Sequence, residues 1–205
     1  WGMIIMIKNI IFDLGNVLLN FEAKKCLGSK IPLEKIEIIY KGIFQSEEWI
    51  SLDRGTITEE EAKANIIDRN IDYKEYINMA FENWYDMLTP IEKNIRILEA
   101  LKEKKYKIYY LSNFHDLAFK YVTQKYDFFK KFDGGVVSYE EKILKPECEI
   151  YERIIKKYNL NPKECIFIDD TKINVDGATE SGLYGIHLKD IDTLEENLKK
   201  YEIEL

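Results

Sequence analysis

One stretch limits what this chain can fold into: Ile10-Ile11-Phe12-Asp13-Leu14-Gly15-Asn16-Val17-Leu18-Leu19. An apolar, largely β-branched run, counting Ile4, Ile5 and Ile7 before it, ends abruptly in a carboxylate. A short, continuous apolar run of this kind reads as a strand buried on both faces, the condition of a parallel sheet covered by helices. Gly15 and Asn16 supply a tight turn after it. The carboxyl ends of such strands form the ligand crevice of open α/β sheets. An Asp there is either a turn cap or a working group, and the stretch alone does not choose between them.

The next part of the chain, from about Asn20 to Leu88, has little strand character. Pro32 opens a helical pattern through Ile36, Ile39, Tyr40 and Ile43, and Leu52-Asp53-Arg54-Gly55-Thr56 reads as a turn. Thr58-Glu59-Glu60-Glu61 is a capping box, and a further amphipathic helix is predicted from about Asp72 to Tyr85. Alternation of strand and helix then resumes. Thr89-Pro90-Ile91-Glu92 predicts a helix start with both a capping box and Pro at the first helical position. Strands are predicted at Lys107–Leu111, Gly134–Ser138, Cys165–Ile168 and Tyr184–His187. Helices are predicted over Asp116–Tyr126, Pro146–Tyr158 and Asn174–Ser181, the last stopped by Gly182, with a final one starting at Asp192. The pattern predicts an α/β fold, a Rossmann-like parallel sheet core with helices on both faces. Residues 3–19 and 89–205 would form that core, and residues 20–88 a small helical unit inserted after the first strand.

A length of 205 residues suits such a core plus insert, and the net charge of −7 argues against nucleic-acid or anionic-membrane partners. It does not exclude an anionic substrate, because a metal ion and one lysine can reverse the local field. Cys26, Cys148 and Cys165 match no zinc or redox spacing and read as reduced, packed thiols of a cytoplasmic protein. The N-terminal apolar run is too short to span a membrane and lacks the basic region and cleavage site of a signal peptide. Trp1-Gly2, ahead of Met3, reads as a cloning remnant.

Three predicted strand ends carry polar groups: Asp13, Ser112-Asn113 and Asp169-Asp170. Lys145 directly precedes a predicted helix. In a parallel sheet these ends converge along one edge. Ser112-Asn113 alone reads as a turn or helix cap, and Lys145 alone as a solvated lysine. Adjacent carboxylates at the end of a buried strand repel one another unless a cation sits with them.

Taken together, the motifs resemble those of haloacid dehalogenase superfamily hydrolases. Phe12-Asp13-Leu14-Gly15-Asn16-Val17 is similar to the first motif, Leu111-Ser112-Asn113 to the second, Lys145-Pro146 to the third, and Ile168-Asp169-Asp170-Thr171-Lys172-Ile173-Asn174 to the fourth. They come in family order and span almost the whole chain. The insert resembles the helical cap of one subfamily. With Leu52-Asp53-Arg54-Gly55-Thr56-Ile57-Thr58, the wording is most similar to bacterial sugar-phosphate phosphatases of the glucose-1-phosphatase type.

The resemblance implies a Mg²⁺-dependent phosphatase acting on a small phosphorylated metabolite, with a sugar phosphate favoured. Asp13 would be the nucleophile, forming an aspartyl-phosphate. Asp13, the Gly15 carbonyl and Asp170 would ligate Mg²⁺, with Asp169 beside them. Ser112, Asn113 and Lys145 would hold phosphate, and Asn174 would orient the acidic loop. Phosphatases of this family usually carry a second Asp two residues after the nucleophile, as general acid and base; this chain has Gly15 there. A substrate hydroxyl, a water or a carboxylate of the insert such as Asp53 could substitute. Superfamily dehalogenases lack that Asp too, so a 2-haloacid dehalogenase and a weakly active ligand-binding member remain as alternatives. Trp49, Asp53, Arg54 and Trp84 are the insert's candidates for substrate contact.

Overall fold

The structure, a computed structural model, describes residues 6–205; Ile4 and Ile5 of the predicted first strand lie outside them. Five strands form one parallel sheet: β1 Asn9–Phe12, β2 Lys107–Ser112, β3 Gly134–Val137, β4 Cys165–Asp169 and β5 Tyr184–His187, in the order β3-β2-β1-β4-β5. Every residue of β1 is buried, which explains why Ile10-Ile11-Phe12 is continuously apolar rather than alternating. Ile10 and Phe12 face one core cluster with Leu98 and Leu101, and Ile11 faces a second with Tyr151, Ile154 and Phe167.

The strand order places the site. From β1 the chain winds outward through β2 to β3, then returns to the other side of β1 as β4 and β5. The order reverses between β1 and β4, the switch point at which such sheets open a crevice. Phe12 lies opposite both Tyr110 and Ile168, so the residues that follow, Asp13 and Asp169, leave the sheet side by side.

Between β1 and α6 (Glu92–Glu103) stand five helices: α1 Ala23–Gly28, α2 Ile36–Phe44, α3 Glu47–Arg54, α4 Glu59–Arg69 and α5 Lys74–Phe81. The chain's way out and way back are tied together. Asn20 donates its backbone N–H to Thr89 and Ile91 donates to Leu18, both at 2.8 Å. This corrects the capping box expected at Thr89. Its hydroxyl accepts from Asn20 instead, Pro90 bridges to Leu19, and α6 starts at Glu92 with no side-chain cap.

Two further expectations change. The turn read at Leu52–Thr56 is the end of α3, which Ser46 caps and which closes at Gly55 in the left-handed conformation. The long helix read over 72–85 is broken: α5 stops at Phe81, Asn83 is left-handed, and Trp84–Met87 forms a 3₁₀ turn. The capping box at Thr58 is present with both of its hydrogen bonds.

Beyond β2 the helices are α7 Asp116–Lys125, α8 Ser138–Glu141, α9 Cys148–Tyr158, α10 Lys172–Glu180 and α11 Leu194–Lys199. Ser138 thus opens a helix rather than ending β3, and α9 begins at Cys148 rather than at Pro146. All three cysteines are free. Cys165 is buried as expected, but Cys26 is only partly covered and Cys148 is exposed on the first turn of α9. Among the described residues no helix is long and apolar enough to cross a membrane.

Thr58→Ala removes the hydroxyl that accepts from Glu61 N and donates to Glu61 Oε2, and leaves only the bond from the Thr58 backbone N–H to Glu61. We expect it to cost about 1 kcal/mol of stability in denaturant unfolding. An unchanged midpoint would mean that α4 is held by packing alone.

Candidate active site

The ends of β1, β2 and β4 deliver polar groups to a single cavity of 260 Å³. Its floor is lined by Asp13, Ser112, Asn113, Lys145, Asp170 and Asn174. Asp13 follows β1 directly and is buried. Its Oδ1 accepts from Ser112 Oγ at 2.6 Å and lies 2.8 Å from Lys145 Nζ. Lys145 Nζ also donates to Asp169 Oδ2 at 2.6 Å. The lysine is only 5% exposed, so the reading of it as a solvated lysine is excluded.

Side chains remote in sequence hold these groups in place. Asn113 grips the main chain of Lys145 twice: its Nδ2 donates to the carbonyl at 3.1 Å, and its Oδ1 accepts the N–H at 2.9 Å. The Asn113 side chain is therefore committed to positioning the lysine. Asp169 is fully buried and accepts from Thr171 N and Asn174 Nδ2 as well as from Lys145. Its neighbour Asp170 is half-buried and accepts from Asn16 Nδ2 at 3.0 Å. Asn16 was read only as a turn residue. Its φ of 53° meets the turn's need, while its amide reaches the fourth motif.

Burial pushes the Asp13 carboxyl up to about 7; the Lys145 ammonium pulls it down and the charge of Asp169 pushes it further up. The two carboxylates in turn raise Lys145, against the effect of its burial. The lysine therefore stays protonated between them. One oxygen each of Asp13, Asp169 and Asp170 lies within 4.8 Å of the others. Three carboxylates face one ammonium, and both contacts to Asp13 fall on Oδ1. This hard-oxygen set with surplus negative charge suits a divalent cation such as Mg²⁺.

The upper wall comes from the insert and from the loop after β2: Phe21, Trp49, Asp53, Trp84, Leu88, Phe114 and His115. Trp49, Asp53 and Trp84 are thus where the sequence reading placed candidates. Arg54 is not; it forms an ion pair with Glu147. Trp84 is anchored by donating Nε1–H to Glu59 at 3.0 Å. His115 was missed by the sequence reading. It is 4% exposed, with its ring 4.2 Å from that of Trp49 and its Nε2 3.2 Å from Asp53 Oδ1. Its signal was slight: one of two histidines, three residues beyond Ser112.

The fold agrees with the comparisons. A family model for haloacid dehalogenase-like hydrolases matches residues 7–182. The chain belongs to that family. It is 27% identical over 183 residues to the sesquiterpene phosphatase astK of Aspergillus oryzae, covering 89% of this chain and 90% of that protein. A D-ribitol-5-phosphate phosphatase of Bacteroides thetaiotaomicron is 25% identical over 195 residues, covering 86% and 89% respectively. A haloacid dehalogenase family enzyme of the same bacterium, solved with magnesium and inorganic phosphate, superposes with a TM-score of 0.70. It is 30% identical, covering 88% of this chain and 93% of that one. The protein is thus a hydrolase with phosphatase relatives.

Lys145 compensates two buried carboxylates at once. Lys145→Met should therefore cost about 3–5 kcal/mol in metal-free denaturant unfolding, the penalty for leaving buried charge unpaired. A loss below about 1 kcal/mol would mean that water already enters the site.

Proposed function

We propose that this hydrolase is a Mg²⁺-dependent phosphatase of a small phosphorylated metabolite, acting through an aspartyl-phosphate on Asp13. The observation that carries the reading is the buried Ser112–Asp13–Lys145–Asp169 chain of contacts, with Asp170 beside it. Asp13, Asp170 and the Gly15 carbonyl would hold Mg²⁺, whose charge lets an anionic nucleophile meet an anionic phosphate. In this reading Asp13 attacks phosphorus with the oxygen not taken by Ser112 and Lys145. The Ser112 hydroxyl, the Asn113 backbone amide and the Lys145 ammonium hold the phosphate oxygens and their developing charge. Asp169 keeps Lys145 in place, and Asn174 keeps Asp169 in place.

Residues 20–88 act in this reading as a cap that closes over the leaving group. The aromatic wall of Phe21, Trp49 and Trp84 suits the apolar face of a sugar ring, and equally a hydrocarbon chain. Relatives named for ribitol phosphate and for a sesquiterpene both fit that wall. A sugar phosphate is the favoured substrate, and the cytoplasm the favoured location for three free thiols. The acidic triplet speaks against the dehalogenase alternative, for which a cluster of three carboxylates has no evident use.

Two measurements test the reading. Asp13→Asn should keep the fold by circular dichroism and release no phosphate above background from any ester in a metabolite screen with Mg²⁺. Turnover by the pure variant would remove Asp13 as nucleophile. Millimolar Mg²⁺ should raise Tm of wild type by several degrees, as expected of a ligand at about 100 times its Kd. Asp170→Ala should abolish that shift, and chelation should abolish activity. Full activity in excess chelator, with halide released from a 2-haloacid, would favour the dehalogenase instead.

A further inference from the structure

Gly15 stands where the family's phosphatases usually carry their proton donor, and the space beside it is open. A Cβ built on Gly15 meets no heavy atom within 4 Å. The carboxylates lining the cavity are Asp13, Asp53 and Asp170. Asp13 and Asp170 belong to the floor. Asp53 reaches the cavity from the end of α3, in a wall otherwise built largely of Phe21, Trp49, Trp84, Leu88 and Phe114.

The position of Asp53 is fixed from three sides. Ser138 Oγ donates to its main-chain carbonyl. Arg54 donates to Glu147 Oε2 at 3.1 Å and to the carbonyl of Lys142 at 3.2 Å. Lys142 Nζ donates to the carbonyl of Gly55. Gly55 has φ of +68°, and a Cβ there would stand 2.5 Å from Tyr139 O. All these partners lie within residues 138–147, the segment that also carries Lys145. Asp53 is thereby held in register with the lysine at the floor.

Behind Asp53 sits His115. Its Nε2 is 3.2 Å from Asp53 Oδ1, and neither buried ring nitrogen has a hydrogen-bond partner among the described residues. Trp49 and Trp84 pack on the imidazole, with ring centroids at 4.2 and 5.4 Å. An imidazole so enclosed, 3.2 Å from Asp53 Oδ1, limits where that carboxylate can stand.

We propose that Asp53 supplies the proton transfers that Gly15 cannot, with His115 as its positioning residue. The proposal rests on the phosphatase reading above. In the first step Asp13 forms a bond to phosphorus, the bond from phosphorus to the leaving oxygen breaks, and protonated Asp53 gives its proton to that oxygen. In the second, the Asp53 carboxylate takes a proton from the water that attacks the aspartyl-phosphate. Phosphate leaves, and Asp13 and protonated Asp53 are restored. The donor comes from the insert, so proton transfer requires the insert to be seated on the core.

The test is a series of phosphate monoesters of similar size and graded leaving-group pKa, from 4-nitrophenyl to alkyl, with Mg²⁺. Wild type, Asp53→Asn, His115→Asn and the double variant Gly15→Asp/Asp53→Asn are compared. For Asp53→Asn, the loss in kcat/KM should grow with leaving-group pKa, reaching about 10²- to 10⁴-fold for alkyl esters, the usual worth of general acid help. His115→Asn should show the same trend more weakly, in kcat rather than in KM. The double variant should recover part of the alkyl activity, since the space beside Gly15 accepts a side chain. A uniform loss across the series, or one confined to KM, would overturn the assignment while leaving the phosphatase reading intact. A wild type that releases no phosphate from any ester would overturn both.

Discussion

The site depends on one buried ammonium. Lys145 stands between Asp13 and Asp169 and is within 2.8 Å of both. Two carboxylates leaving adjacent strands at the sheet's switch point would otherwise repel each other in a medium that screens little. Much of the local structure serves to keep that lysine in place. Asn113 grips its backbone from the end of β2, and Asn174 and Thr171 complete the shell of Asp169. The ladder between β1 and β4 sets the two strand ends side by side, and the lysine offsets the charge that this brings together.

The balance is incomplete without a further positive charge. Burial raises Asp13 toward neutrality, yet the nucleophile proposed above must be ionised to attack. In that proposal, a divalent cation held by Asp13 and Asp170 would resolve the conflict, and a phosphate group would bring its own need for positive partners.

The insert contributes a different environment. Phe21, Phe44, Trp49, Trp84 and His115 form a chain of ring contacts that continues from the helical unit into the loop after β2. Arg54, Gly55 and Asp53 dock on residues 138–147 through polar contacts. In the phosphatase reading proposed above, an aromatic wall over a charged floor separates phosphate recognition from leaving-group recognition. That division explains how family members with one floor can act on unlike substrates.

The sequence by itself determined the strands and the polar groups at their ends, while the burial of Lys145 among them came from the fold. Asp13, Ser112 and Asp169 were legible because each ends an apolar run, and a buried strand has only one sequence pattern to offer. The Thr58 capping box was legible because both of its bonds lie within four residues. The same local rule failed at Thr89, where Asn20, 69 residues away, takes the hydroxyl and Pro90 bridges to Leu19. It failed at Leu52–Thr56 because Gly55 was taken to mark a turn, when it closes a helix whose cap, Ser46, had gone unread. Only the tertiary structure decided the pairing of Asn16 with Asp170, of Asn113 with the Lys145 backbone, and of His115 with Asp53. Hydrogen bonds and ion pairs act within about 3 Å, and residues 62 apart in sequence come that close only once the chain has folded.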